Sequence, residues 1–399
     1  MIFGMMLLVI SIFAGAGVDV SRSVSARSKL SNALDTAVLT AARGLTLGVL
    51  DEKDVETELN RMFAANVTDA LLAEAKPVIA SFSLDKKNSR IQASAAASLP
   101  AALLQLAGIK KIDVGASSAA TFNNDRVEVA MMLDVTGSMS TNNKIGSLKR
   151  AATLAIDTII PSGKLADPDK VRIALVPYSQ GVNAGRFARQ ATNNVSGKCA
   201  TERAGPNAYT NVSPRQDAIG NGSTNCPSAK ILPLESDPTR LKNRIASFRA
   251  ANATSGNVGI AWTWYTLSQQ WNSLWPVGSD AQPSNNADVH KYAILMTDGL
   301  FNTVYEKKRN GKYKQVFRGE AYAKSRERAE NLCKAMRDDG ITVFSIGFDL
   351  IDANAIDTLK NCSSKNVPFQ TFYSAATEND LKGAYLEIAS LIQNLWLSE

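Results

Sequence analysis

A chain of 399 residues, 45% hydrophobic and 20% charged, has the composition of an ordinary folded protein with room for one large core and a smaller module. Its net charge of +7 is spread without a block of five like charges or a basic patch interleaved with aromatics, so no nucleic-acid partner is expected. A single histidine, His290, excludes two-histidine metal sites, and four cysteines without a C-x-x-C pair fit neither a zinc cluster nor a thioredoxin-type centre.

The chain opens on MIFGMMLLVISIFAGAGV, residues 1–18, which carries no charge. As a helix rising about 1.5 Å per residue it would reach roughly 27 Å, enough to cross a hydrocarbon core, so a transmembrane anchor is expected there. A cleaved signal peptide would want a basic start, which this run lacks. Arg22, Arg27 and Lys29 follow the run and nothing basic precedes it. By the positive-inside rule that leaves the bulk in the cytoplasm, against the cysteine usage; a basic segment further upstream would reconcile the two.

Residues 19–75 read as helical. Apolar positions at Leu30, Ala33, Leu34, Ala37, Val38 and Ala41 recur at three and four up to Gly44, and a second helix covers Glu52–Ala75 before Pro77. Over 76–125 the period falls to two, with strands at Ile79–Leu84, Arg90–Ala97 and Lys111–Phe122 and a short helix at Pro100–Leu106, a small α+β module.

From Val127 the rhythm changes again. Strands are expected at Val127–Leu133, Val171–Tyr178, Tyr292–Met296, Ile341–Ile346 and Phe369–Tyr373. Helices are expected at Lys144–Ile160, Ile260–Leu274, Ala321–Asp339, Ala353–Asn361 and Glu378–Leu395. Short apolar strands alternating with longer amphipathic helices over 126–397 predict an α/β domain with a doubly wound, mostly parallel sheet. Residues 181–256 interrupt it with a polar stretch rich in Asn, Ser, Gly and Pro, read as an insertion stapled by Cys199 and Cys226. Asn302–Phe317, with Asn-Gly between β-rich flanks, reads as a hairpin. Trp262, Trp264, Trp271 and Trp275 read as packing residues. The even cysteine number and the apolar start point to disulfides in an oxidising compartment; three connectivities are possible, and proximity favours Cys199–Cys226 and Cys333–Cys362.

Two strands end on acids, Asp134 in VEVAMMLDVTGSMS and Asp298 in AILMTDG. Ligands of open α/β sheets bind outside the carboxyl ends of the strands, so these carboxylates share an edge. Thr136, Ser138 and, from NATSGNVGIAW, Thr254 add hydroxyls. A set of Asp134, Thr136, Ser138, Thr254 and Asp298 offers oxygen only, which suits Mg²⁺, Mn²⁺ or Ca²⁺ rather than zinc. Two carboxylates neutralise such an ion while hydroxyls add no charge, leaving it able to accept an outside carboxylate. The same hydroxyls would serve as helix caps in a metal-free structural stalk. A Mg²⁺-dependent phosphoryl-transfer hydrolase that starts from a strand-end aspartate would want a second acid two residues on, where this chain has Thr136. No GxxxxGK[ST] loop is present.

DVTGSMS resembles the DxSxS signature of von Willebrand factor A domains, with threonine in the second position. Thr254, five residues before Gly259, is similar to that family's separate threonine, and TDG to its final aspartate. The resemblance covers about Asp125–Leu397 and implies that Asp134, Thr136, Ser138, Thr254 and Asp298 form a metal-ion-dependent adhesion site. GVDVSRSVSARSKLSNALDTAVLTAARG, IALVPYSQGVN, VGIAWTWYTLS and LKGAYLEIASLIQNLWLS are similar to TadG-like proteins of the tight-adherence pilus assembly system, with Gln269 where those proteins often have proline. That resemblance implies an inner-membrane anchor, a periplasmic bulk and a part in assembling or anchoring a surface pilus. The expected activity is non-enzymatic: a membrane-tethered, divalent-metal-dependent module that holds a pilus or envelope component through an acidic side chain.

Overall fold

Two hydrophobic cores form in the computed structural model, one within Met1–Asn124 and one within Asp125–Glu399. Residues 2–123, 125–160, 167–192, 197–221 and 225–398 are described, with side chains from 15 to 394.

In the first unit a single helix, α1 (Ile2–Thr46), carries the apolar stripe read from the sequence, and Ala26, Leu30, Leu34, Ala37, Val38 and Ala41 are fully buried. In place of one helix over 52–75 there are two, α2 (Val55–Asn66) and α3 (Ala70–Ala75). The break falls at Asp69, whose carboxylate accepts the Leu71 N–H and so starts a new helix as its N-cap. Strands β1 (Val78–Asp85), β2 (Arg90–Pro100) and β3 (Lys111–Thr121) form an antiparallel meander. Alternation along β2 buries Ile91, Ala93, Ala95, Ala97 and Leu99 in the same core as α1, so the segments 19–75 and 76–125 make one body. The expected helix at 100–106 is a 3₁₀ turn, Leu104–Ala107.

That turn is held by Asp19 of α1. Its buried carboxylate accepts the backbone N–H groups of Ala102, Leu103 and Leu104 at 2.8, 2.8 and 2.7 Å. These bonds, the one from Leu104 foremost, hold its pKa below the ordinary aspartate value of 3.8 against the opposing effect of burial. Gly15 also belongs to this packing, since a Cβ there would lie 2.6 Å from that of Leu103. The side chains of residues 1–14, which carry most of the expected anchor, lie outside those described; among the described residues no helix is long and apolar enough to cross a membrane.

The second unit runs β4 (Arg126–Asp134), α4 (Lys144–Ile159), β5 (Val171–Tyr178), β6 (Val182–Asn183), α5 (Ala188–Ala191), β7 (Cys199–Ala200), β8 (Leu232–Glu235), α6 (Pro238–Ala246) and α7 (Gly256–Thr266). It continues with β9 (Val289–Thr297), β10 (Thr303–Lys307), β11 (Tyr313–Phe317), α8 (Glu320–Asp338), β12 (Thr342–Phe348), α9 (Ala353–Cys362), β13 (Phe372–Ala375) and α10 (Glu378–Ser398). The main sheet has the order β13-β12-β9-β4-β5-β6-β7, with β8 antiparallel to β5. Strands β13, β12, β9, β4 and β5 are parallel. The chain is therefore a mixed α/β protein with a largely parallel sheet.

The stretch 181–256 is less of an excursion than its composition implies. It lends β6, β7 and β8 to the sheet, packs α6 on α4, and is closed by the Cys199–Cys226 disulfide; Cys333–Cys362 joins α8 to α9. From it Glu202 enters the core, pushed up in pKa by burial, and accepts from Asn257 of α7 at 2.6 Å and Arg328 of α8 at 2.8 Å. Helix α7 starts four residues earlier than its apolar pattern indicates and stops at Thr266; Trp271 lies in a separate 3₁₀ turn, stacked on Tyr265 at 4.0 Å. Hairpin β10–β11 forms over the expected residues.

At the amino end of the sheet Glu128 stands in register with Arg172 on one side and Lys291 on the other, and pairs with both, at 2.6 and 3.1 Å. All three are buried. Losing one partner of such a group costs roughly 3–5 kcal/mol, so a slip of β4 against β5 or β9 is penalised by charge as well as by packing.

The Asp19 cap yields a direct test. A group whose pKa is depressed by folding contributes stability above its unfolded value and loses it as pH falls. Asp19→Asn should speed amide hydrogen exchange at residues 102–104 at pH 7, with the difference shrinking below about pH 4. Unchanged exchange at pH 7 would show that the carboxylate does not hold the turn.

Candidate metal centre

From β4 the chain moves through α4 to β5; from β9 it moves the opposite way along the sheet, through α8, to β12. With right-handed crossovers the two connections lie on opposite faces. α4 accordingly packs with α6 and α10, and α8 with α7 and α9. The crevice where neighbouring strands send their chains apart is therefore between β4 and β9, and Asp134 and Asp298 stand at it.

Asp134, the last residue of β4, is fully buried. One of its oxygens accepts the Thr136 backbone N–H at 2.9 Å and the Thr136 hydroxyl at 2.6 Å. The other accepts the hydroxyls of Tyr178 and Thr297, each at 2.7 Å. The Thr136 oxygen lies 2.9 Å from that of Ser138, and Ser138 donates to Asp298 at 2.5 Å. Four of the five residues read from the sequence thus make one continuous chain of oxygens. Thr254 is placed beside them by its backbone: its N–H donates to the Asn302 side chain at 3.0 Å, and its carbonyl accepts the Asn302 N–H at 2.9 Å. The Gly137 N–H donates to the Asn252 carbonyl at 2.8 Å, docking that loop onto the Thr136–Ser138 turn. Ser138 and Thr254 line one open cleft of about 430 Å³ with Gly299, Leu300 and Asn302. Asp134, Thr136 and Asp298 are buried while Ser138 is exposed, so the oxygens reach solvent at Ser138.

Charge is unevenly balanced here. Burial, reinforced by the negative charge of Asp134, lifts Asp298 from 3.8 to about 6, even though the Ser138 hydrogen bond and the Lys144 ammonium oppose it. Lys144, the first residue of α4, lies 3.3 Å from Asp298 and 2.9 Å from Asp349, just past the end of β12. Burial would lower its pKa, but the pairs with Asp349 and Asp298 override it and hold the amine above its ordinary value. Tyr178 is driven well above its ordinary range by burial and by Asp134, so it remains a donor to that carboxylate.

The chain of oxygens has one proton too few when both acids are ionised. With Asp298 ionised, both hydroxyl protons are drawn to carboxylates, and the Thr136 and Ser138 oxygens face each other at 2.9 Å with no proton between them. With Asp298 protonated, one proton satisfies the run from Asp298 through Ser138 and Thr136 to Asp134. With Asp298 ionised the two facing hydroxyl oxygens have no proton between them, and the donor set of carboxylate and hydroxyl oxygen suits a hard divalent cation. Among the described residues no group of three or more Asp, Glu, His or Cys side chains gathers as a metal cluster, and the set here has two carboxylates. Asp134, with four donors on its two oxygens, is poorly disposed to act as a nucleophile.

Lys144, Tyr178, Thr297 and Asp349 were not singled out by the sequence. Tyr178 and Thr297 close strands on the same edge, a signal that was available; Lys144 and Asp349 become visible only when α4 and β12 are placed. His290 sits at the opposite end of β9, paired with Asp125 at 2.8 Å.

Residues 1–44 match the Tad family model, described as Flp pilus-assembly TadE/G-like. A comparison with curated proteins finds no sequence match. Among solved structures the chain is similar to the vWF domain of the type V pili tip protein Mfa5 from Porphyromonas gingivalis, at 16% identity and a TM-score of 0.45, over 69% of this chain and 97% of that one. It is also similar to the pilus adhesin SpaC from Lactobacillus rhamnosus GG, at 12% identity and a TM-score of 0.42, over 80% of this chain and 35% of that one. A further similarity is to the PilB minor pilin from Streptococcus sanguinis, at 11% identity and a TM-score of 0.40, over 80% and 79% of the two chains.

An Asp298 that keeps its proton to a higher pH when folded contributes stability at low pH and loses it as pH rises from 3.8 towards about 6. In chelator at pH 7, Asp298→Asn should therefore stabilise the protein by roughly 1–3 kcal/mol, with about half that gain at pH 5 and little below about pH 4, measured by denaturant unfolding. A loss of stability at pH 7 would contradict the strained-carboxylate description.

Proposed function

We propose that residues 126–397 form a von Willebrand factor A-like module that binds a protein partner through a divalent cation, Mg²⁺, Mn²⁺ or Ca²⁺, at a metal-ion-dependent adhesion site. Asp134, Thr136, Ser138, Thr254 and Asp298 would hold the ion. The observation that carries this reading is the pair of hydroxyl oxygens 2.9 Å apart between two buried carboxylates. The ion would supply a Lewis-acidic centre for a carboxylate of the partner. The chain's own residues do the rest: Asp134 and Asp298 take the hydroxyl protons and leave oxygen lone pairs for a cation, while Tyr178 and Thr297 fix the Asp134 carboxylate. Ser138, the exposed member, marks where a partner enters.

The match of residues 1–44 supports a place in Tad/Flp-type pilus assembly at the bacterial envelope, with a pilus or envelope component presenting the acidic side chain. In this reading the apolar run at the amino end attaches the chain to the inner membrane, and the bulk lies outside the cytoplasm, where Cys199–Cys226 and Cys333–Cys362 can form. The module acts by binding, without turnover. The β10–β11 hairpin and the segment 181–256 flank the site on a rigid frame, the arrangement in which loops set specificity.

Calorimetric titration with MgCl₂ and MnCl₂ tests the site. The wild-type chain should bind one ion at pH 7, Ser138→Ala should weaken binding by about tenfold or more, and affinity should fall as pH drops through about 6. Absence of binding, or binding indifferent to Ser138→Ala, would remove the proposal.

A further inference from the structure

Asp298 is shared between two claims on its charge. One oxygen accepts from Ser138 within the candidate metal centre, and the other lies 3.3 Å from the Lys144 ammonium. The ammonium is nearly enclosed, its side chain about 10% exposed, and 6.0 Å from the centre of the Phe348 ring. Its nearer partner is Asp349, at 2.9 Å. Asp349 is different in kind from Asp134 and Asp298: its side chain is 42% exposed, and its backbone turns to φ +50 as the chain leaves β12, tied back by its N–H to the Ala375 carbonyl.

We propose that Lys144 is the resident counter-cation of the metal centre, and that Asp349 sets the strength of the centre by drawing the Lys144 ammonium away from Asp298. Lys144 is a positioning residue that tunes divalent-ion affinity without being a ligand, and Asp349 acts through it. This rests on the cation-binding function proposed above.

The physical reason is competition across one carboxylate. A divalent ion at the Ser138 side of Asp298 and an ammonium at the other repel each other in a region of low effective dielectric, so the lysine lowers the ion's affinity. In return, Lys144 balances part of the buried negative charge when no ion is bound, which keeps the loop after β4 assembled. Asp349 shifts the ammonium towards solvent and leaves Asp298 freer for the ion. The exposed half of this bridge also gives the rim of the binding face a route to the metal: a basic group docking on Asp349 would return Lys144 to Asp298 and loosen the ion.

Titration of the full chain with MnCl₂ separates this from a general charge effect. Lys144→Met should bind Mn²⁺ about tenfold tighter or more, and Asp349→Asn severalfold more weakly. In the Lys144→Met background, Asp349→Asn should change affinity by less than about twofold, because the residue through which it acts is gone. Equal or weaker binding by Lys144→Met overturns the inference and leaves the metal site standing. So does an Asp349→Asn effect of the same size with and without Lys144. If neither the wild type nor Lys144→Met takes Mn²⁺, the cation-binding function falls and the inference with it. If only Lys144→Met does, the lysine itself occupies the centre and the inference holds. Asp349 is exposed, so its variant keeps the test open should Lys144→Met fold poorly.

Discussion

Two buried carboxylates at one edge of a sheet, with Lys144 between one of them and the surface, impose the constraint that organises the second unit. Burying ionised acids is costly unless charge or hydrogen bonds compensate. Asp134 is compensated by hydrogen bonds from a backbone N–H and three hydroxyls. Asp298 is compensated only in part, and its raised pKa is the residue of that shortfall. The asymmetry divides the roles. Asp134 is a fixed anchor for Thr136, whereas Asp298 is the group whose state changes with whatever positive charge arrives.

Keeping those groups at one height depends on features far from them. The Arg172–Glu128–Lys291 triad fixes β5, β4 and β9 in register at the amino end, and residues reckoned along each strand from there reach the carboxyl edge together. Tyr178 pairs in register with Asp134, and Gly259 lets α7 lie against its ring, where a Cβ would come within 2.8 Å. A larger residue at 259 would displace the ring whose hydroxyl holds Asp134. The segment 181–256 is pinned at Glu202 and by Arg203, whose guanidinium lies 5.6 Å from the Tyr265 ring centre. Glu202 and Arg203 thereby tie the described part of this segment to α7 and α8 in the core.

Much of this was legible in the chain itself, for identifiable reasons. The parallel strands announce themselves because strands buried on both faces read as near-continuous apolar runs, as in VAMML and IALVPY. Asp134 and Asp298 stand out in the sequence because they lie at or just past strand ends, and Thr136 and Ser138 because they follow Asp134 at two and four residues. The less legible parts depend on contacts distant in sequence. Nothing local marks Lys144 as half of a bridge to Asp349, 205 residues away, and the polar composition of 181–256 hides strands that are recognised only by pairing with β5 and β6. The bounds of α7 are hidden for a related reason: the helix is buried on all sides, so it lacks the one-sided apolar stripe from which boundaries are read. The break before α3 turned on one side chain, Asp69, whose capping bond outweighed a continuous helical pattern.

Anomalous diffraction from crystals grown in MnCl₂ at pH 7.5 or above tests whether Asp134, Thr136, Ser138, Thr254 and Asp298 hold a doubly charged ion. A manganese peak is expected within coordination distance of the Ser138 hydroxyl and Asp298, with Lys144 shifted towards Asp349. Crystals in which those oxygens keep their mutual hydrogen bonds and carry no peak at saturating manganese would contradict it.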